Sequence, residues 1–296
     1  MIHILDLRFL NMDHVIASFL IETIQGPVIV ETGPYSTFTS MEKCLANHGY
    51  QVSDIRHVFL THIHFDHAGA AWAFAKQGAK IYLHPFGALH MQNPTNLYNS
   101  AKQIYGDQME RLWGAMEKIP ADQLIAVEHG EKIQVGEVEF LSWHTPGHAK
   151  HHIAWQVGET FFTGDIAGVK IDEGPVMPPC PPPDINLEQW NQSIDILLEK
   201  KPQRLFLTHY GEVTNVEEQF LELRSIMNNW AYWVKEKSEL GMNAKEITLQ
   251  FTKYTTDQLR AKGVSDRGVE RYDTANPSWM SVAGLMRYWK KKRNPK

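Results

Sequence analysis

Cysteine is scarce in this chain: Cys44 and Cys180 are the only two in 296 residues. Two such distant thiols make no disulfide framework, so both are expected to be free, in a cytoplasmic protein. Long apolar runs are missing too. The longest, around residues 68–75, is far too short to cross a bilayer. Asp6 and Arg8 interrupt what would otherwise be the apolar stretch of a signal peptide. There is no basic excess: 29 Lys and Arg stand against 34 Asp and Glu, a net charge of −5. Neither nucleic acid nor a membrane surface is therefore expected as a partner. Gly-x-Gly-x-x-Gly and Gly-Lys-Ser/Thr phosphate loops do not occur, and no internal repeat stands out. What remains is an ordinary globular mix, 43% apolar and 21% charged. It suits one large domain, or one domain with an extension.

Against these absences stands a wealth of histidine, and its placement is patterned. Four short apolar segments each run directly into residues that bind metals. Residues 57–60 lead into Thr61-His62-Ile63-His64-Phe65-Asp66-His67, and 138–143 into His144-Thr145-Pro146-Gly147-His148. Residues 160–162 lead into Thr163-Gly164-Asp165, and 205–207 into Thr208-His209. Loops at the carboxyl ends of strands gather at one edge of a sheet, where α/β proteins place ligands. His62, His64, His67, His148 and His209 with Asp66 and Asp165 exceed what one tetrahedral metal can use. They suit two metals that share a bridging carboxylate.

The rest of the chain reads as a frame for those segments. Strands are expected over 15–23 and 27–31, either side of Gln25-Gly26-Pro27, with a helix over 37–48. A helix over about 68–77 and a strand over 80–83 follow the histidine motif. Between 85 and 120, Tyr98, Lys102, Tyr105, Met109, Leu112, Trp113 and Met116 recur at largely helical spacing. They read either as a helix buried on one face or as an aromatic, Met-rich lid. A strand-rich stretch spans 131–162. Residues 175–184 carry six prolines, as a linker or as a wall of the site. Asn186-Leu187-Glu188-Gln189 is an N-cap with Gln at the third helical position, starting a helix toward Lys200.

Beyond 213 the pattern turns helical. Phe220, Leu223, Met227, Trp230 and Val234 form one apolar stripe. Val282, Leu285, Met286 and Trp289 form another, behind Asn276-Pro277 as cap and first helical residue. These stripes are candidates for a homodimer surface. Lys290-Lys291-Lys292-Arg293 reads as a solvated helix end.

Thr61-His62-Ile63-His64-Phe65-Asp66-His67-Ala68-Gly69, Thr145-Pro146-Gly147-His148, Thr163-Gly164-Asp165 and Leu207-Thr208-His209 together resemble the metallo-β-lactamase fold superfamily of metal-dependent hydrolases. The resemblance implies an α/β protein built as a four-layer αββα sandwich over residues 1–213, with a helical C-terminal extension over 214–296. It implies His62, His64 and His148 on a first metal, Asp66, His67 and His209 on a second, and Asp165 bridging. Zinc suits such nitrogen and oxygen ligands, and iron and manganese are compatible. A hydroxide between the metals would attack a small ester, thioester or lactone, with Asp66 as the catalytic residue that orients it or relays its proton.

Particular residues narrow the resemblance. Asp165 stands where the antibiotic-degrading members typically have Cys or Ser, which argues against β-lactam hydrolysis. Ile166-Ala167-Gly168-Val169 follows where lactonases carry a tyrosine. The chain looks most like the glyoxalase II-like hydrolases, although no distinctive basic cluster for glutathione is present. The rival is a mononuclear iron oxidoreductase of the persulfide dioxygenase kind, whose ligands correspond to His62, His148 and Asp165. Glu31 occupies a position where many relatives carry Asp. Tyr210 reads as a donor to a developing oxyanion, as a packing residue or as a support behind the ligands, and Glu31 likewise as a support or a substrate contact. His151 and His152 read as structural or as supports behind the ligands. His84 and His90, near the start of the possible lid, read as surface or core residues or as substrate contacts, and His144 carries no clear role.

Overall fold

Strict alternation along short strands sorts the apolar residues into three separate cores. A computed structural model describes residues 1–294. On β2 (Ala17–Thr23), Ala17, Phe19 and Ile21 face one core while Leu20 faces another. On β3 (Gly26–Val30), Val28 and Val30 join the first and Ile29 the second. Such a period of two is what a sheet covered on both faces requires.

Among the described residues, twelve strands build two six-stranded sheets. With β1 (Ile2–Asp6), β4 (His57–Phe59), β5 (Lys80–Leu83) and β6 (Leu124–Ala126), the first sheet runs β1-β2-β3-β4-β5-β6. The second contains β7 (Lys132–Val135), β8 (Val138–His144), β9 (Ile153–Val157), β10 (Thr160–Phe162), β11 (Arg204–Leu207) and β12 (Gly211–Val213). Its order is β12-β11-β10-β9-β8-β7. The pairs from β3 to β6 are parallel, as is β10 with β11; the others are antiparallel.

Between the sheets the core is aromatic. Phe59 stacks on Phe140 at 4.0 Å, and Phe19 packs on Phe162 and Phe206 at 5.3 Å. Outside the first sheet, Leu20, Val58 and Ile81 meet Met41, Leu45 and Phe74 of the helices Phe38–Asn47 and Ala71–Lys76. Outside the second, Phe161, Leu205 and Leu207 meet Trp190 and Ile194 of the helix Leu187–Glu199. The result is the four-layer αββα sandwich.

Four further helices follow: Val216–Glu239, Ala244–Ala261, Asp266–Ala275 and Ser278–Arg293. Phe220, Leu223, Met227, Trp230 and Val234 are buried within the chain, continuous with the core under the second sheet. Val282 and Leu285 are buried there too. Met286 and Trp289 of the second stripe are only partly buried. Residues 295 and 296 of the expected extension lie outside the described residues.

Several elements differ from expectation. The helix expected over 68–77 is two pieces, Phe65–Ala68 and Ala71–Lys76. The loop after β3 is the cause: Thr32 N–H donates to the His67 carbonyl, and the Gly33 carbonyl accepts from Ala70 N–H. Those bonds hold the ligand-bearing turn against the sheet. Pro277, rather than Asn276, precedes the last helix as its cap. The Asn276 side chain instead donates to the Pro178 carbonyl and accepts from Ser281 Oγ. Asn186 caps its helix as expected, accepting from Gln189 N–H. Strands β1, β6 and β12 are too short or too polar to announce themselves by alternation.

Candidate metal centre

Each ligand-type residue lies just past a strand, or on a turn anchored by one. Beyond β4, Thr61 N–H donates to Glu31 Oε1 at 2.8 Å, fixing the start of the His62–His67 turn. Beyond β10, Gly164 has φ 47°, and a Cβ there would lie 2.3 Å from Thr61 Oγ1. Only glycine lets Asp165 approach the histidine turn this closely. Beyond β8, a Cβ on Gly147 would lie 2.3 Å from Trp190 Cα. The glycines of the Thr-Gly-Asp and Thr-Pro-Gly-His motifs are therefore required by close approach.

These turns converge. His62, His64, His148 and Asp165 form one group of facing donor atoms, and Asp66, His67 and His209 form another. His64 Nδ1 lies 2.9 Å from His62 Nε2 and 3.1 Å from His148 Nε2. Asp165 divides its carboxylate: Oδ2 is 3.2 Å from His148 Nε2, whereas Oδ1 is 3.3 Å from His67 Nε2 and 3.6 Å from His209 Nε2. Asp66 Oδ2 lies 3.5 Å from His209 Nε2 and 3.8 Å from His67 Nε2.

The opposite ring nitrogens are tied down. His148 Nδ1 donates to the Pro179 carbonyl at 2.9 Å and His209 Nδ1 to the Val15 carbonyl at 2.7 Å. His67 Nδ1 donates to Glu31 Oε2 at 3.1 Å, and His62 Nδ1 meets Thr61 Oγ1 at 3.0 Å. Such bonds leave a lone pair on each inward nitrogen and hold the ring in place. Glu31 is fully buried with φ 66°, a left-handed conformation uncommon for a non-glycine residue. That backbone turns its carboxylate from the strand end into the site.

A metal fits this donor set. His67 Nε2 and Asp165 Oδ1 are buried without a hydrogen-bond partner, a costly state that a cation between them relieves. Charge tells the same story. Burial, then the neighbouring His67, pushes His62 well below its usual range, and burial brings His64 down to about 3. These imidazoles are neutral, as ligands must be. Burial also opposes charge on His67, but Asp165, Asp66 and Glu31 together hold it well above its usual range. For His209, burial is likewise overcome, first by its hydrogen bond to Asp66. Burial opposes ionisation of Asp66, yet His67 and His209 draw it down to about 2.

A cavity of about 740 Å³ opens onto the cluster and exposes His64, Asp66, Asp165 and His209 to it. The 85–120 segment forms three short helices, Pro85–Gln92, Thr95–Tyr105 and Met109–Leu112. The single helix expected there is thus three; Ala101, Met109 and Trp113 are buried, while Ala101, Tyr105 and Trp113 wall the cavity. The proline-rich stretch is a wall, contributing Pro179 and Pro181–Pro183.

Other singled-out residues fall into place. His152 is fully buried, meeting Thr145 Oγ1 at 2.8 Å and accepting from Asp165 N–H at 3.3 Å. It supports Asp165 from behind. His151 and His90 line the cavity. His84 caps the helix Pro85–Gln92 by accepting from Phe86 N–H, and His144 Nε2 meets the Val127 carbonyl. Tyr210 packs on the ring of His14 at 4.4 Å and does not line the cavity, so it is a packing residue. Cys180 is buried and Cys44 partly so; both are free thiols.

Sequence reasoning missed the cavity residues supplied by the tail, among them Asn276, Trp279 and Met280. It also missed the tie that holds the tail in place, where Arg271 bonds Asp172 at 2.8 Å and Asp13 at 2.5 Å. No spacing rule links positions so far apart.

The sequence profile of the metallo-beta-lactamase superfamily matches residues 13–209. The chain belongs to that superfamily. Among curated relatives, the metallo-beta-lactamase fold-containing protein ST1585 of Sulfurisphaera tokodaii is 32% identical over 167 residues, 53% of this chain and 61% of that protein. The cytoplasmic hydroxyacylglutathione hydrolase of Arabidopsis thaliana is 28% identical over 189 residues, 60% of this chain and 58% of that protein. The chain thus spans about three-fifths of the length of each. In fold, the metallo-beta-lactamase family protein TTHA1429 of Thermus thermophilus superposes with a TM-score of 0.69 at 18% identity, covering 99% of this chain and 94% of that one. That superposition extends through the helical tail of this superfamily member. Among the described residues, no helix is long and apolar enough to cross a membrane.

Proposed function

We propose that this protein is a hydrolase of small esters, thioesters or lactones that uses two divalent cations. The observation that carries the reading is the divided carboxylate of Asp165, with one oxygen toward each donor group. In this reading His62, His64 and His148 hold one cation, Asp66, His67 and His209 the other, and Asp165 both. Zinc suits the donor set, and iron or manganese is compatible. When bound, such cations polarise a carbonyl and acidify water toward neutral pH, from about 15.7 in bulk.

The chain's own residues do the rest. Asp66 borders the cavity and stays ionised, so it can orient a water or accept its proton. Glu31 and the Pro179 and Val15 carbonyls hold the imidazoles in the tautomer that faces inward. The hydroxyacylglutathione hydrolase among the relatives supports ester or thioester cleavage as the reaction class. The tail supplies part of the cavity wall, so we assign residues 214–296 to the working unit with residues 1–213.

The rival, a one-iron oxidoreductase, needs only His62, His148 and Asp165. The assembled second group, Asp66, His67 and His209, favours two cations. Metal analysis of protein purified without added metal separates the two, combined with turnover of thioesters, lactones and phosphodiesters. About two cations per chain, with ester or thioester cleavage abolished by His148→Ala, is the expected result. One iron per chain, thiol-dependent oxygen uptake and no cleavage overturns it.

A further inference from the structure

The cavity beyond the metal centre has an uneven chemistry that the hydrolase reading does not use. An aromatic path begins between two ligand-bearing positions and ends on the tail. Phe65 lies between His64 and Asp66, and its ring is 6.0 Å from Trp113. Trp113 is 5.2 Å from Tyr105, and Tyr105 is 5.8 Å from Trp279 on the helix Ser278–Arg293. All four rings line the cavity. The Tyr105 hydroxyl also approaches Met280 Sδ at 4.0 Å, so the 85–120 segment and the tail meet across it.

Cationic side chains are missing. Among the described residues, no Lys or Arg lines this cavity, whereas Asp66, Asp165, Asp184 and Asp273 do. Asp66 and Asp165 belong to the metal centre. Asp184 and Asp273 are wall residues, and the nearest ion-pair partner of Asp184 is Lys150, at 3.4 Å and outside the lining. An anionic group away from the reacting carbonyl would find apolar rings and carboxylates, with no cation to offset its lost hydration. At about 740 Å³ the space matches pockets for drug-sized ligands, roughly 300–1,000 Å³, and far exceeds an acetyl group.

We infer that the site takes an uncharged substrate with a medium-length apolar acyl group laid along the Phe65–Trp113–Tyr105–Trp279 path, and rejects substrates charged at the far end. This rests on the hydrolase reading for the reaction, but not for binding. It separates this chain's substrate from peptide-conjugated or nucleotide-conjugated thioesters, which carry remote negative charge.

The test compares two molecules of equal length that differ only in that remote charge. With metal-loaded protein, p-nitrophenyl octanoate should be cleaved with a kcat/KM at least about tenfold above that of mono-p-nitrophenyl suberate. It should also exceed p-nitrophenyl acetate by at least about tenfold, since each fully buried methylene is worth about fourfold. Ile104 lines the cavity yet is 47% exposed, so the fold tolerates replacement. Ile104→Lys should narrow the octanoate-to-suberate ratio severalfold. A binding arm needs no turnover: octanamide should bind more tightly than suberamic acid by calorimetry. Equal handling of the charged and uncharged partners in both arms overturns the inference while leaving the hydrolase reading intact. Preferential octanamide binding with no cleavage of any ester or thioester leaves the inference standing and overturns the hydrolase reading instead.

Discussion

The carboxylate of Glu31 lies 3.1 Å from Nδ1 of His67, with both side chains fully buried. The other oxygen of Glu31 holds Thr61 N–H, so one side chain fixes both the first turn residue and a ligand of the second donor group. Glu31→Gln keeps the volume and removes the charge behind His67. The expected result is about a 10- to 100-fold loss of affinity at the second cation site, with the first nearly unaffected. Calorimetric metal titration reads both; equal affinities in variant and parent would refute the role.

Asp165→Asn should act on both cations at once. An amide offers one neutral oxygen where the carboxylate faces His148 on one side and His67 on the other. Metal content after dialysis is expected to fall below one ion per chain, and turnover to fall with it. Retention of two ions would show that Asp165 does not join the two groups.

Tyr272 anchors the tail to the strap that precedes the proline-rich stretch. Its hydroxyl accepts from Ile171 N–H at 2.9 Å and donates to the Pro175 carbonyl at 2.7 Å, with the ring buried. Tyr272→Phe leaves both backbone groups unpaired and should lower stability by about 2 kcal/mol. Urea denaturation measures it, and an unchanged midpoint would count against the anchor.

The acid limb of stability carries a sign that can be checked. Burial, then His144, draws His84 down to about 4 from 6.5. Between those two values the unfolded chain binds a proton that the folded chain refuses, so stability falls as pH drops through that window. His84→Asn keeps a cap acceptor for Phe86 N–H and removes the titration. The slope of stability against pH in metal-free protein should become shallower over that window. A steeper or unaltered slope would contradict the assignment.

The candidate donor cluster was legible because its residues sit beside short apolar strands, and alternation plus histidine spacing are local signals. Even the break after Phe65–Ala68 came from a nonlocal cause, the hydrogen bonds of Thr32 and Gly33. Strands β1 and β6 form the two edges of their sheet, where half-exposed residues such as Ile4 and Leu124 blur the alternation. Glu31 could be named as a position of interest, but its orientation depends on a left-handed backbone that sequence does not announce. The helices Ala244–Ala261 and Asp266–Ala275 were not separately anticipated within the tail. Nor could the meeting of Tyr105 with Trp279 be foreseen, since it depends on how two helical segments fold over the sandwich. Tyr210 follows His209 in the chain yet turns to His14, a reminder that sequence neighbours need not share a pocket.

The seam between Tyr105 and Trp279 joins two stretches that contribute none of the donor atoms at the metal centre. On the proposed reading, reactivity and selectivity are thereby written on different parts of the polypeptide. Evolution, or an engineer, can retool what is admitted by altering either stretch without redesigning the step that breaks the bond.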